Sequence, residues 1–238
     1  MEWYNRFVYL YGMEMRLVIG TFTLIDEFYF HLHKKISKDA HEFMRVTNEE
    51  DELQIILRGH IYIEHEIERL LRNHLVEPDA ILGDRFMFMS KLNLAVALGL
   101  ISADKKIPYK KLNDLRNDYA HALNYKMTEK ALRGLVQSMD KEIRGTVFKK
   151  EWNEKKEMSV EERNLLKLKR AMLSLWVYVS QLLHTLSIKE YEKRIEEVEA
   201  RYIASDDDKF KEDCEVECME LFNKMKRELD ITEKSLLI

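Results

Sequence analysis

Proline and glycine are scarce in this chain of 238 residues, with two of the first and seven of the second. Turn-rich β architectures, collagen-like repeats and flexible linkers all need more of both, so the composition excludes them. Cysteine is as scarce as proline, with only Cys214 and Cys218 present. At i, i+4 on a helix their side chains run parallel, a poor disulfide geometry, so a disulfide scaffold is excluded. A reducing, cytoplasmic location is the corresponding expectation. Charges at Glu2, Arg6, Glu14 and Arg16 interrupt the start of the chain, and no signal peptide is expected there. There is no Gly-rich phosphate loop, internal repeat or low-complexity segment. The Asp206, Asp207, Asp208 run lacks the Gly and Glu of a calcium loop and reads as a helix N-cap. His31 and His33, at i, i+2, point to nearly opposite sides of a helix and make a poor chelate. Neither a metal nor a small-molecule cofactor is expected.

What is present is helix former and core. Hydrophobic residues make up 46% of the chain, enough for a sizeable interior, and the composition reads as all-α. Residues 2–35 predict a long helix rich in aromatics, among them Trp3, Phe7, Phe22 and Tyr29, with apolar residues almost all round. Thr47 with Glu50 has the capping-box spacing for a helix to about residue 75. Its stripe reads Leu53, Leu57, His60, Glu64, Ile67, Leu71. Gly83 and Asp84 open a helix over 85–98, with Gly99 as its C-cap, and Pro108 suits the first turn of the next. Thr128 caps a helix to about residue 143, and 145–158 is a charged connector. Ser159 with Glu162 repeats the capping-box pattern for a helix to about residue 186. The rest forms charge-dense helices broken around 205–208, docked on one side through Ile195, Val198, Tyr202, Phe210, Val216 and Leu221. The expected architecture is an antiparallel helical bundle over 47–187, an aromatic-rich helical segment over 1–46 and an acidic helical extension over 188–238.

One uncharged stretch, 171–188, is about long enough to span a bilayer. Ser174, Tyr178, Gln181 and Thr185 lay a polar stripe along it, which suits a central bundle helix better than lipid. No membrane partner is expected. The net charge of −4 hides an asymmetry. Residues 104–150 carry twelve Lys and Arg against six Asp and Glu, a net of +6, while 190–234 carry nine against sixteen. A locally basic surface of this kind suits phosphate groups, and equally suits ordinary solvated helix faces.

The basic segment contains the stretch LNDLRNDYAHALNY, residues 112–125. Leu112, Leu115, Tyr119 and Ala122 recur on one helical face, and Asp114, Asn117, His121 and Asn124 on another. Arg116 lies between these faces. At 100° per residue, Arg116 and His121 stand roughly 140° apart, so one helix cannot bring them to the same side. A second copy related by a twofold axis would supply both at one seam, and a homodimer is the expected state.

The RNDYAH core resembles the Rx4–6H motif of the HEPN superfamily, small helical bundles of which many are metal-independent RNases of toxin–antitoxin, phage-defence and RNA-processing systems. The wider context, LGDRFMFMSKLNLAVALGLIS followed by KKLNDLRNDYAH, is similar to the mannitol operon repressor family, over about residues 47–186. The resemblance implies RNA as substrate, the RNA 2′-hydroxyl as nucleophile, and products ending in a 2′,3′-cyclic phosphate and a 5′-hydroxyl. His121 then suits proton transfer, since imidazole titrates near neutral pH, and Arg116 suits the phosphate through its forked, permanent charge. Asn117 would hold the imidazole or a phosphate oxygen. Glu64, His60 and Asp118 are supporting candidates, with Glu64 or His60 facing the motif helix and orienting Arg116. Each has a structural counterpart: His60 and Glu64 as an i, i+4 pair inside the bundle, Arg116 neutralising Glu64, and His121 capping a helix end. The other functional reading is a non-catalytic regulator like the mannitol operon repressor family, acting through protein contacts with an antitoxin or regulatory partner. No helix-turn-helix with a basic second helix accompanies it.

Overall fold

The computed structural model describes residues 21–47, 51–83, 85–122, 125–145 and 158–229. Among these the protein is all-helical, with no strand, and the helices pack as a bundle. The described residues fall into two compact units, 35–190 and the combination of 21–34 with 191–229.

Helix α1 covers Thr21–Val46, α2 Glu52–Arg72, α3 Phe88–Ala97, α4 Lys106–His121, α5 Glu129–Ser138, α6 Lys141–Arg144, α7 Val160–Ala204 and α8 Asp208–Glu228. Local chemistry explains most of these limits. Asp51 caps α2, its carboxylate accepting from the Gln54 N–H while the Gln54 side chain accepts from the Asp51 N–H. The Thr47/Glu50 pattern is therefore not the N-terminus it predicts. Thr47 is buried just past α1, and its hydroxyl donates to the Phe43 carbonyl at 2.8 Å. Helix α3 stops in a Schellman arrangement, with Leu100 N–H on the Ala95 carbonyl, Gly99 N–H on the Val96 carbonyl, and Gly99 at φ +73°. Thr128 caps α5, but that helix closes at Ser138, and Asp140 starts the short α6. Ser159 and Glu162 make the reciprocal capping bonds of α7 at 3.1 and 2.8 Å. Asp207 caps α8, in keeping with the break expected there.

In the larger unit, α2 supplies Ile55, Ile56, Ile63, Ile67, Leu70 and Leu71 to the core, with Leu53 and Leu57 left on the outside. These meet Leu92 and Ala95 of α3, Leu112 and Leu115 of α4, Leu132 and Leu135 of α5, and α7 from Leu168 to Leu183. Burying a Leu or Ile side chain stabilises by roughly 1.5–3 kcal/mol each, so this core dominates the energetics. Helix α7 is the apolar stretch expected at the centre; 72% of its most hydrophobic window is buried inside the fold. It runs unbroken for 45 residues, well past the end expected near 186.

In the smaller unit, Tyr29 of α1 donates to Glu192 of α7 at 3.0 Å, and Tyr191 hydrogen-bonds Glu228 of α8. Arg201 grips both oxygens of Glu217 at 2.8 Å. Ile195, Val198 and Leu221 are buried as expected, joined by Cys214, Cys218, Phe222 and Met225. Phe210 and Val216 are exposed, so the buried face of α8 is phased differently from the expected one. Both cysteines are free thiols.

Candidate functional site

Helix α4 is anchored at its start and open at its end. Tyr109 is fully buried and its hydroxyl donates to the Leu175 carbonyl of α7 at 3.1 Å. Leu112 and Leu115 fill the same core, and Pro108 sits in the first turn, where a missing N–H costs nothing. Toward the C-terminus burial falls away. Tyr119 is half-buried, while Ala120, His121 and Ala122 are exposed. Ala122 is extended at φ −129°, ψ 106°, and the chain turns back. The Met127 N–H then donates to the Tyr119 hydroxyl at 3.1 Å and to Glu52 Oε2 at 3.3 Å. Tyr125 packs edge-on against Tyr119 with centroids 4.7 Å apart. Leu123 and Asn124, part of the motif stretch, lie outside the described residues.

Arg116 is half-buried, and its charge acts on His60 of α2. Its Nη1 donates to Asn117 Oδ1 at 3.3 Å, and among the described residues it pairs with no carboxylate. The alternative in which it neutralises Glu64 is not what the structure contains. Glu64 accepts from Lys91 of α3 at 2.8 Å, and Lys91 also reaches Glu68 at 2.9 Å. Arg72 holds Glu68 from the other side at 3.0 Å.

His60 lies beside Glu64. It is buried, its ring lies 4.3 Å from that of Phe88, and Nδ1 is 3.7 Å from Glu64 Oε2. Burial pushes its pKa down, and the charges of Arg116 and Lys91 push the same way, against the Glu64 carboxylate and Asn113. The imidazole is therefore neutral at pH 7, and among the described residues its Nε2 has no hydrogen-bond partner of good geometry. Asp118 is exposed and turned away from this cluster. With burial it raises the pKa of Tyr125, which places its carboxylate beside that hydroxyl.

His121 stands apart from the cluster, exposed in the last turn of α4. Lys110, Asn117 and His121 share one side by their i, i+7, i+11 spacing, with Lys110 and His121 exposed and Asn117 half-buried. Because α4 is continuous from Lys106 to His121, Arg116 and His121 keep their angular separation of about 140°. The fold thus brings His60, Glu64, Arg116 and Asn117 together and leaves His121 and Asp118 outside. Lys91 and Asn113 are members of the site that motif reasoning passes over. The signal for Lys91 was available: it is the one charged residue in the apolar helix FMSKLNLAVA. Among the described residues no group of three or more His, Cys, Asp or Glu is placed to hold a metal ion.

No family model, curated protein or solved structure matches this chain.

Proposed function

We propose that the protein is a metal-independent endoribonuclease of HEPN type, a toxin, defence or RNA-processing effector that works as a homodimer. One observation carries the reading: Arg116 is half-buried in the second half of α4, and among the described residues no acidic side chain takes up its charge. A guanidinium held in that way is ready for a phosphate, whose two oxygens match its fork.

In the reaction, the ribose 2′-oxygen attacks the adjacent phosphorus as its proton passes to a base. The bond to the 5′-oxygen breaks, and that oxygen takes a proton. The phosphorane-like transition state carries extra negative charge on the non-bridging oxygens, which Arg116 stabilises. His121, exposed and free to meet a substrate, moves the protons. Asn117 orients the phosphate or the imidazole. The products are a 2′,3′-cyclic phosphate and a 5′-hydroxyl.

The two side chains diverge on α4, so a complete pocket needs His121 from a second copy. Leu53, Leu57 and Ile61 support this arrangement. They follow one another at i, i+4, i+8 along α2, the helix that carries His60 and Glu64, and are 37–65% exposed. An exposed apolar row beside a half-built polar site is suited to self-association.

The test is incubation of purified protein with single-stranded and structured RNA in EDTA. Cleavage giving cyclic-phosphate ends, lost in His121→Ala with helicity unchanged, supports the reading. Absence of cleavage on every RNA sinks it. The same apolar row also suits a non-catalytic regulator acting through protein contacts. In that case RNA stays intact and substitutions at Leu57 and Ile61, rather than at His121, abolish function.

A further inference from the structure

Helix α3 carries a single charge, and it is nearly buried: the Lys91 side chain is 11% exposed. A lysine in that setting is costly unless paired, and Lys91 is paired twice, with Glu64 and Glu68. Burial opposes its charge, but the hydrogen bonds to the two carboxylates outweigh burial and its pKa rises, so it stays an ammonium. The two carboxylates are not equivalent. Glu68 has a second cation, Arg72, whereas Lys91 is the only cation bonded to Glu64 among the described residues. On its other side Glu64 approaches His60 at 3.7 Å, a ring that is neutral at pH 7. Arg116 acts on that same ring from α4. Glu64, held by Lys91, and Arg116, bonded to no carboxylate among the described residues, thus both act on one imidazole and remain separate.

We infer that Lys91 is a positioning residue: by holding Glu64 on the α3 side of His60, it keeps the Arg116 guanidinium available for an anion. The inference rests on the reading of Arg116 as a phosphate ligand, and it adds the part that protects that ligand. Without Lys91, Glu64 loses its cation and turns to Arg116, which acts on the same ring and is bonded to no carboxylate among the described residues. The resulting internal ion pair competes with RNA phosphate. The effect is electrostatic, so removing the charge of Glu64 as well undoes it.

The experiment combines two readouts on the full chain. The first is thermal unfolding of Glu64→Gln, Arg116→Gln and the double variant, each made with and without Lys91→Met. With Lys91 present the shifts in Tm add, because the two groups do not interact; in the Lys91→Met background they fail to add by a few degrees. The second is affinity for a short single-stranded oligoribonucleotide at fixed salt. Lys91→Met weakens binding about tenfold, the size expected for losing one charged hydrogen bond. Lys91→Met with Glu64→Gln returns it to within about threefold, and Lys91→Arg binds as the parent does. Additive shifts in both backgrounds overturn the inference, as does failure of Glu64→Gln to restore binding. If the cycles behave as stated but the parent protein binds no RNA, the nuclease reading fails and the charge separation stands.

Discussion

The Tyr119 hydroxyl donates to Glu52 Oε2 at 2.7 Å, tying the last turn of α4 to the first turn of α2. The two helices are packed neighbours, with Glu52 against Tyr119, and Asn113 and Arg116 of α4 both act on the His60 ring of α2. The same carboxylate and hydroxyl receive the Met127 N–H, so the segment that follows His121 is pinned by the pair. Burial and the Glu52 carboxylate both raise the Tyr119 pKa well above the usual tyrosine value, and the hydroxyl remains a donor throughout the neutral range. Tyr119→Phe is expected to lower stability by about 1–2 kcal/mol, since it removes one hydrogen bond and leaves Glu52 under-satisfied. Amide exchange at Met127 should accelerate in the variant. Unchanged exchange there would mean that the clamp does not hold the segment.

His121 has no side-chain partner among the described residues and is exposed, so His121→Ala should change stability by no more than about 0.5 kcal/mol. Arg116→Ala removes a half-buried stem that covers apolar surface, and should cost about 1 kcal/mol. Both variants should lose RNA cleavage despite this difference. A large fall in Tm for His121→Ala would assign the imidazole a structural task and take away its chemical one.

His184, in the middle of α7, is 2% exposed, and its Nδ1 has no hydrogen-bond partner among the described residues. Burial lowers its pKa to about 3, and the charges of Arg69 and Lys35 add to the effect. The folded value lies below the unfolded value near 6.5. The stabilisation is therefore complete above pH 6.5 and is lost as pH falls toward 3. Between pH 7.5 and 4.5 the parent should lose about 2–3 kcal/mol more than His184→Met, which does not titrate. Urea denaturation at the two pH values measures the difference, and parallel losses would exclude a buried neutral His184.

Gly59 of α2 faces Met172 of α7 at close range. A Cβ at this position would lie 2.9 Å from Met172 Cγ and Sδ and 3.1 Å from its Cβ. Alanine gains about 1 kcal/mol over glycine in an unconstrained helix, but here the overlap with Met172 outweighs that gain. Gly59→Ala is expected to destabilise by about 1–2 kcal/mol, and its combination with Met172→Ala to cost less than the two changes summed. A stabilising Gly59→Ala would show that Met172 has room to move.

The features that could be read in advance are those decided within a few residues. Ser159 with Glu162, Thr128, Asp207, Pro108 and Gly99 all sit where their short-range chemistry places them. Thr47 shows the limit of that reasoning. Its spacing to Glu50 is that of a cap, but its hydroxyl goes back to the Phe43 carbonyl, a choice set by burial rather than by neighbours in sequence. The overrun of α7 has a similar origin: the change from apolar to charged residues after 186 alters the solvent, not the helix, and no Gly or Pro interrupts Val160–Ala204. At the site, the motif marks Arg116 and His121 but not which carboxylate meets which cation. Glu64 goes to Lys91 because α3 packs against α2, a tertiary fact that no spacing within α4 encodes.

The tight seam between Gly59 and Met172 also sets an order of chemical ageing. Met87 and Met219 are 69% and 46% exposed, so peroxide reaches their thioethers directly. Met172 is wholly enclosed, and a sulfoxide oxygen has no space beside Gly59. Oxidation at Met172 therefore requires α2 and α7 to part first. Once formed, the sulfoxide works as a wedge against their closing again. Peptide masses followed over time in dilute peroxide would turn that one side chain into a gauge of how often the two central helices separate.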